Sequence, residues 1–146
     1  MLRSLLSGMM IFGLLGCGGG YSQESEAVST VSASGTLTYK GKPLSGFVVA
    51  FQPSGGQRAA MGVTDEAGKF VLGTNAKDDG AVPGPNKVSV VWQPPEDDGM
   101  GNVIDDPSKL PKPPVQIPVM YSSPETSGLL VDVPEGGSSE LVVELK

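Results

Sequence analysis

Phe47-Val48-Val49-Ala50-Phe51-Gln52 places Phe47, Val49 and Phe51 at every second position. Successive side chains of a strand point to opposite faces, so this run predicts a half-buried β-strand with one dry face. The same period returns on both sides of it. Leu37 and Tyr39 share a face of 36–40; Met61 and Val63 pair similarly, then Phe70 and Leu72. Val88, Val90 and Trp92 form the next dry face, followed by Leu129, Val131 and Val133, and by Leu141, Val143 and Leu145. The positions between them are mostly Thr, Lys, Ser, Asp and Glu, the pattern of antiparallel sheets with one wet side. Seventeen valines reinforce the strand reading. No stretch after residue 20 keeps a helical period over eleven residues.

Turn residues separate the runs. Gly41-Lys42-Pro43 links the first two. Asp65-Glu66-Ala67-Gly68 links the third and fourth, with Asp65 suited to cap the turn and Gly68 to take a positive φ. Asp79-Gly80 and Pro83-Gly84-Pro85 precede the fifth, and Pro134-Glu135-Gly136-Gly137 the last. Seven such strands predict an all-β fold, a seven-stranded antiparallel sandwich over 34–146. One connection breaks the rhythm. Residues 93–119 hold seven prolines, and a loop of that length is usually functional or disordered. Proline reduces the entropy lost on ordering, so 93–119 reads as a semi-rigid arm.

Composition narrows the chemistry. The 146 residues contain one cysteine and no histidine, which excludes an intrachain disulfide, a Cys/His zinc site and a His-dependent triad. A net charge of -6 and a pI near 4.5 argue against nucleic acid as a partner. With 21 glycines and 13 prolines the chain is turn-rich, yet only 18% of it is charged, unlike a charged disordered tail.

The N-terminus reads as an export signal. After Met1-Leu2-Arg3, the apolar run Leu5 to Leu15 would span about 16 Å as a helix, roughly half a bilayer core. That suits the apolar region of a signal peptide occupying 1–16. Leu14-Leu15-Gly16-Cys17 then resembles the bacterial lipobox, with Leu14 three residues before the cysteine and the small Gly16 just before it. Cleavage before Cys17 would leave its thiol to carry a diacylglyceryl group. The chain's only cysteine standing at this spot supports lipidation over a free exported thiol. Loss of Arg3 with the signal leaves a net charge of -7, so anionic headgroups repel the protein and acyl chains on Cys17 must anchor it to the membrane. One acyl chain binds only marginally; two or three anchor stably. Gly- and Ser-rich residues 17–33 read as a flexible linker, reaching roughly 20–24 Å as a coil. These features predict a cell-envelope protein, anchored by lipid, with its domain on the non-cytoplasmic side.

Further stretches carry a family likeness. They are Gly35-Thr36-Leu37-Thr38-Tyr39-Lys40-Gly41-Lys42-Pro43-Leu44, Phe51-Gln52-Pro53, Thr64-Asp65-Glu66-Ala67-Gly68-Lys69-Phe70, Asp79-Gly80-Ala81-Val82-Pro83-Gly84 and Thr126-Ser127-Gly128-Leu129. With Ile117-Pro118 leading to Tyr121, the chain resembles small predicted lipoproteins of planctomycete bacteria. Their core is similar to the carboxypeptidase regulatory-like, transthyretin-like sandwich. The resemblance implies a non-catalytic accessory domain and carries no site residue beyond Cys17. The chain departs from the pattern at Asn86, where the family often has Tyr, and at Met120, where it commonly has Lys.

Candidate chemistry outside the lipobox is sparse. No Ser is spaced with a Lys or carboxylate base in a way that singles it out, and no cofactor is called for, so the expectation is no enzyme. Asp78-Asp79, Glu96-Asp97-Asp98 and Asp105-Asp106 offer hard oxygen ligands but lack the alternating register of a calcium loop; they read first as solvated turn acids. Trp92 belongs with Val88 and Val90 in the core, or else stacks on a glycan or peptide with Tyr121 or Tyr39. Glu140, Val142 and Glu144 read as the wet face of the last strand, which could also serve as an edge for another chain's strand. An envelope protein or a glycan, the latter met by the 93–119 arm, is the partner these features suggest.

Overall fold

The computed structural model describes residues 26–146, and they form an all-β sandwich. Its strands are β1 (Ala33–Tyr39), β2 (Lys42–Pro43), β3 (Phe47–Pro53), β4 (Ala60–Val63), β5 (Lys69–Val71), β6 (Gly84–Trp92), β7 (Leu129–Val133) and β8 (Ser138–Leu145). One sheet runs β4-β3-β6-β7, antiparallel throughout. In the other, β1 is central, with β2 and β5 along one side and β8 along the other.

Two expectations are corrected here. The strands number eight among the described residues, because Lys42–Pro43, read from sequence as part of a turn, folds back on Thr38 and Tyr39 as a two-residue strand. The sandwich is also not wholly antiparallel. β8 crosses from the opposite sheet after β7 and runs parallel to β1, pairing Thr36 with Val142 and Leu37 with Val143. Alternation reports which face of a strand is dry and is silent on the direction in which a strand enters its sheet.

The predicted dry faces meet between the sheets. Leu37, Phe47, Val49, Phe51, Phe70, Leu72, Val88, Val90, Val133, Val143 and Leu145 are all buried. Phe51 and Phe70 meet across the layer with ring centroids 5.9 Å apart. Each such side chain contributes about 1.5–3 kcal/mol by leaving water. The third predicted run is inverted. Met61 and Val63 are more than half exposed, while Ala60 is buried. Gly62 explains the inversion: a side chain there would run into the Val71 carbonyl, so β4 lies tight against the chain of β5 and its larger residues turn outward.

Local capping follows the sequence. Oδ1 of Asp65 accepts hydrogen bonds from the Ala67 and Lys69 N–H groups, each at 2.9 Å, and Gly68 takes φ 73°. The described part of the expected linker, 26–33, is held to the domain rather than free. Asn75 clasps Val28 from both sides, its Oδ1 accepting from the Val28 N–H at 3.1 Å and its Nδ2 donating to the Val28 carbonyl at 2.8 Å. The Thr30 hydroxyl donates to the Asp79 carbonyl, and Val31 bridges Ala81.

Candidate functional site

Leu14, Leu15, Gly16 and Cys17, the lipidation motif, lie outside the described residues, as does the signal peptide of 1–16. The structure therefore bears on the sandwich and its arm.

The arm divides in two. From 95 to 111 none of its side chains is buried, and only Ile104 and Leu110 are partly covered. Asp97 bridges Val103, and Asp98 organises that turn by accepting from the N–H groups of Met100 and Asn102 and from the Asn102 side chain. These bonds, led by the one from the Asn102 side chain, hold the Asp98 carboxyl below its ordinary range. Asp106 is lowered in the same way by Ser108, whose N–H and hydroxyl it caps. The acids thus serve turns. No cluster of three or more His, Cys, Asp or Glu side chains able to hold a metal ion occurs among the described residues.

From Pro113 onward the arm is a cover. Pro113, Val115 and Ile117 turn inward at alternate positions, and Val115 and Ile117 pack on the core. The short 3-10 turn Val119–Ser122 then drives Tyr121 inside. Tyr121 is only 7% exposed, and its hydroxyl donates to the Lys146 carbonyl at 3.3 Å while accepting from the Lys146 N–H at 3.1 Å. Tyr121 is thus a strut, with no ring face offered to a ligand, contrary to its candidacy as a ligand contact. Its closing partner is the last residue of the sequence, a pairing that no short-range pattern reveals.

Trp92 sits between the two expectations for it. It is half-buried and packs against the core, and it also lines a cleft of about 340 Å³ with Phe47, Val91, Val115, Ile117 and Val119. The structure does not bring Trp92 and Tyr121 together on one exposed surface. Tyr39, the other aromatic considered, lies under the Lys40 ammonium, 5.2 Å from its ring centre.

A larger cleft of about 680 Å³ lies where β4 meets β5, over Met61, Val63 and Val71, with Asp65, Lys69 and Lys77 among its lining. Its hydroxyl, that of Thr74, donates to the Gly80 carbonyl. The sequence reading missed this surface because it assigned Met61 and Val63 to the core; the glycine between them was the signal. Asn86 is buried on β6, where its amide donates to the Val82 and Gly84 carbonyls. Its Oδ1 has no hydrogen-bond partner among the described residues.

No helix among the described residues is long and apolar enough to cross a membrane. No family model matches the chain, and neither a curated protein nor a solved structure matches it.

Proposed function

We propose that this is a lipid-anchored protein of the cell envelope that displays a non-catalytic β-sandwich as a structural or interaction module. The observation that carries the reading is Leu14-Leu15-Gly16-Cys17 at the end of the apolar run Leu5 to Leu15. The sandwich supports it in two ways. Its buried positions are filled by packing residues, and the carboxylates of Asp79, Asp98 and Asp106 each accept from backbone N–H groups of their own turns. Residues 28–31 are clasped by the 74–81 loop, so a pull from a membrane anchor would meet the domain at a defined point. Labelled fatty acid and membrane fractionation test the anchor. Wild-type protein takes up label and sediments with membranes; Cys17→Ala loses the label and moves to the soluble fraction. Unchanged partitioning of that variant rejects the reading.

The cleft beside Trp92 favours a second reading, a glycan- or peptide-binding module using the 93–119 arm. Its volume is near the low end for ligand pockets. Trp92 is the chain's only tryptophan, so its fluorescence reports directly on that cleft. A saturable change with glycans or wall fragments supports this reading, and a flat response across the panel removes it.

A further inference from the structure

We infer that the outer edge of β8 is a strand-acceptor site for an extended basic segment of another protein, with Lys or Arg at positions i and i+4 and an apolar residue between them at i+2. In a parallel pair, the N–H and C=O of one residue face the same neighbour, and alternate residues face opposite sides. The Lys40 N–H donates to the Leu145 carbonyl, so Leu141, Val143 and Leu145 address β1. Val142 and Glu144 therefore present both backbone groups to the outside, as Glu140 does its carbonyl beyond the register shift that separates Ser138 from Leu141, and no strand pairs with β8 there among the described residues.

This edge is closed at both ends and open in the middle. At the start, the Ser138 hydroxyl accepts from the Glu140 N–H at 3.2 Å. At the end, the Tyr121 hydroxyl takes both the N–H and the carbonyl of Lys146. Between the two closures lie the Glu140 carbonyl and both backbone groups of Val142 and Glu144, a row able to bind a short strand through main-chain hydrogen bonds. Around this row, Glu140 and Glu144 are exposed, and Val142 is 63% exposed. Residues directly opposite on paired strands interact, favourably for opposite charges and unfavourably for like ones. A second copy pairing antiparallel about Val142 would set Glu140 against Glu144 twice. The charges thus oppose self-pairing and favour a basic partner.

The inference rests on the interaction-module reading and is independent of lipid on Cys17. The test uses the full chain in detergent, isotope-labelled, titrated with the capped heptapeptides TKTVTKT and TETVTET. The expected result is saturable shifts of the Val142 and Glu144 amides with the lysine peptide, about tenfold weaker binding of the glutamate peptide, and a preference that fades with salt. Val142→Pro, which removes a donor that the fold does not use, abolishes binding. Should that variant fail to fold, E140K/E144K decides by reversing the preference between the peptides. Equal affinity for both peptides, shifts confined to other strands, or Val142 shifts that grow with protein concentration alone overturn the inference. A negative titration alongside lipid-dependent fractionation would reject the acceptor site and leave the membrane anchor standing.

Discussion

The two lateral margins of the sandwich solve the same problem differently. On one side, β4 and the chain leaving β5 are sewn together across the sheets. The Met61 N–H donates to the Gly73 carbonyl at 2.9 Å, and the Gly73 N–H to the Met61 carbonyl at 3.0 Å. On the other side, β7 and β8 run as edges of their own sheets, joined by the turn at 134–137, and only the Tyr121 strut caps the end of β8. An unpaired edge is a template for another chain, so each margin must be blocked or guarded. The first is blocked by backbone made close enough through Gly62. The second is guarded by charge, with Glu140 and Glu144 astride Val142.

The contrast breaks most sharply within β8 itself. Val143 is 1% exposed and its neighbour Val142 is 63% exposed. Val143→Asp should cost several kcal/mol by burying an unpaired carboxylate, enough to unfold the domain. Val142→Asp should lie within about 0.5 kcal/mol of wild type, as surface changes generally do. Thermal melts of the pair check both, and a stable Val143→Asp protein would mean that β8 faces the other way.

The next effect belongs to the sewn margin. Gly62→Ala pushes a methyl group into the Val71 carbonyl and should cost about 1–3 kcal/mol by overpacking. Denaturant titration measures it. A loss near zero would show that β4 stands further from β5 than the structure has it.

Tyr121→Phe probes the strut. It removes both hydrogen bonds to Lys146 and keeps the buried ring, so about 0.5–1.5 kcal/mol should go for each bond lost. Amide exchange at Lys146 should rise in the variant. Exchange unchanged from wild type would show that the hydroxyl does not close that end of β8.

How far the sequence could be read differs between these margins for a physical reason. Faces were legible because burial enforces a period of two, and Phe47, Val49, Phe51 and Leu141, Val143, Leu145 obey it. β4 defeated the rule because it is a four-residue strand holding a glycine. With so few alternations, a close backbone approach outweighs the burial of Met61 and Val63. The last strand was readable as a candidate edge, but strand order was not, since which strand lies beside which depends on contacts such as Thr36 with Val142, about a hundred residues apart. The same holds for Tyr121, just past the proline-rich arm, whose hydroxyl meets the backbone of Lys146, 25 residues further on. The turn acids were readable because Asp65 acts on residues two and four ahead of it.

Asp79 offers the smallest effect and the one that is governed by pH. It follows the sewn margin and organises the turn that clasps the entering chain. Its carboxylate accepts from the N–H groups of Thr74, Asn75 and Ala76, and the bond from Thr74 leads in holding its pKa below the ordinary aspartate value. A depressed carboxyl pKa means that the unfolded turn binds the proton more tightly. The stabilisation is therefore present above the unfolded pKa and drains away as pH falls through the folded one. Amides of Thr74, Asn75 and Ala76 should be protected at neutral pH and lose protection in acid, and Val28 should follow because Asn75 clasps it. Asp79→Asn should show the acid behaviour already at neutral pH. The open margin should give no matching transition at Lys146, because the bonds from Tyr121 that close it involve no side-chain carboxylate. Parallel loss of protection at both margins would mean that acid unfolds the whole domain rather than releasing the clasp.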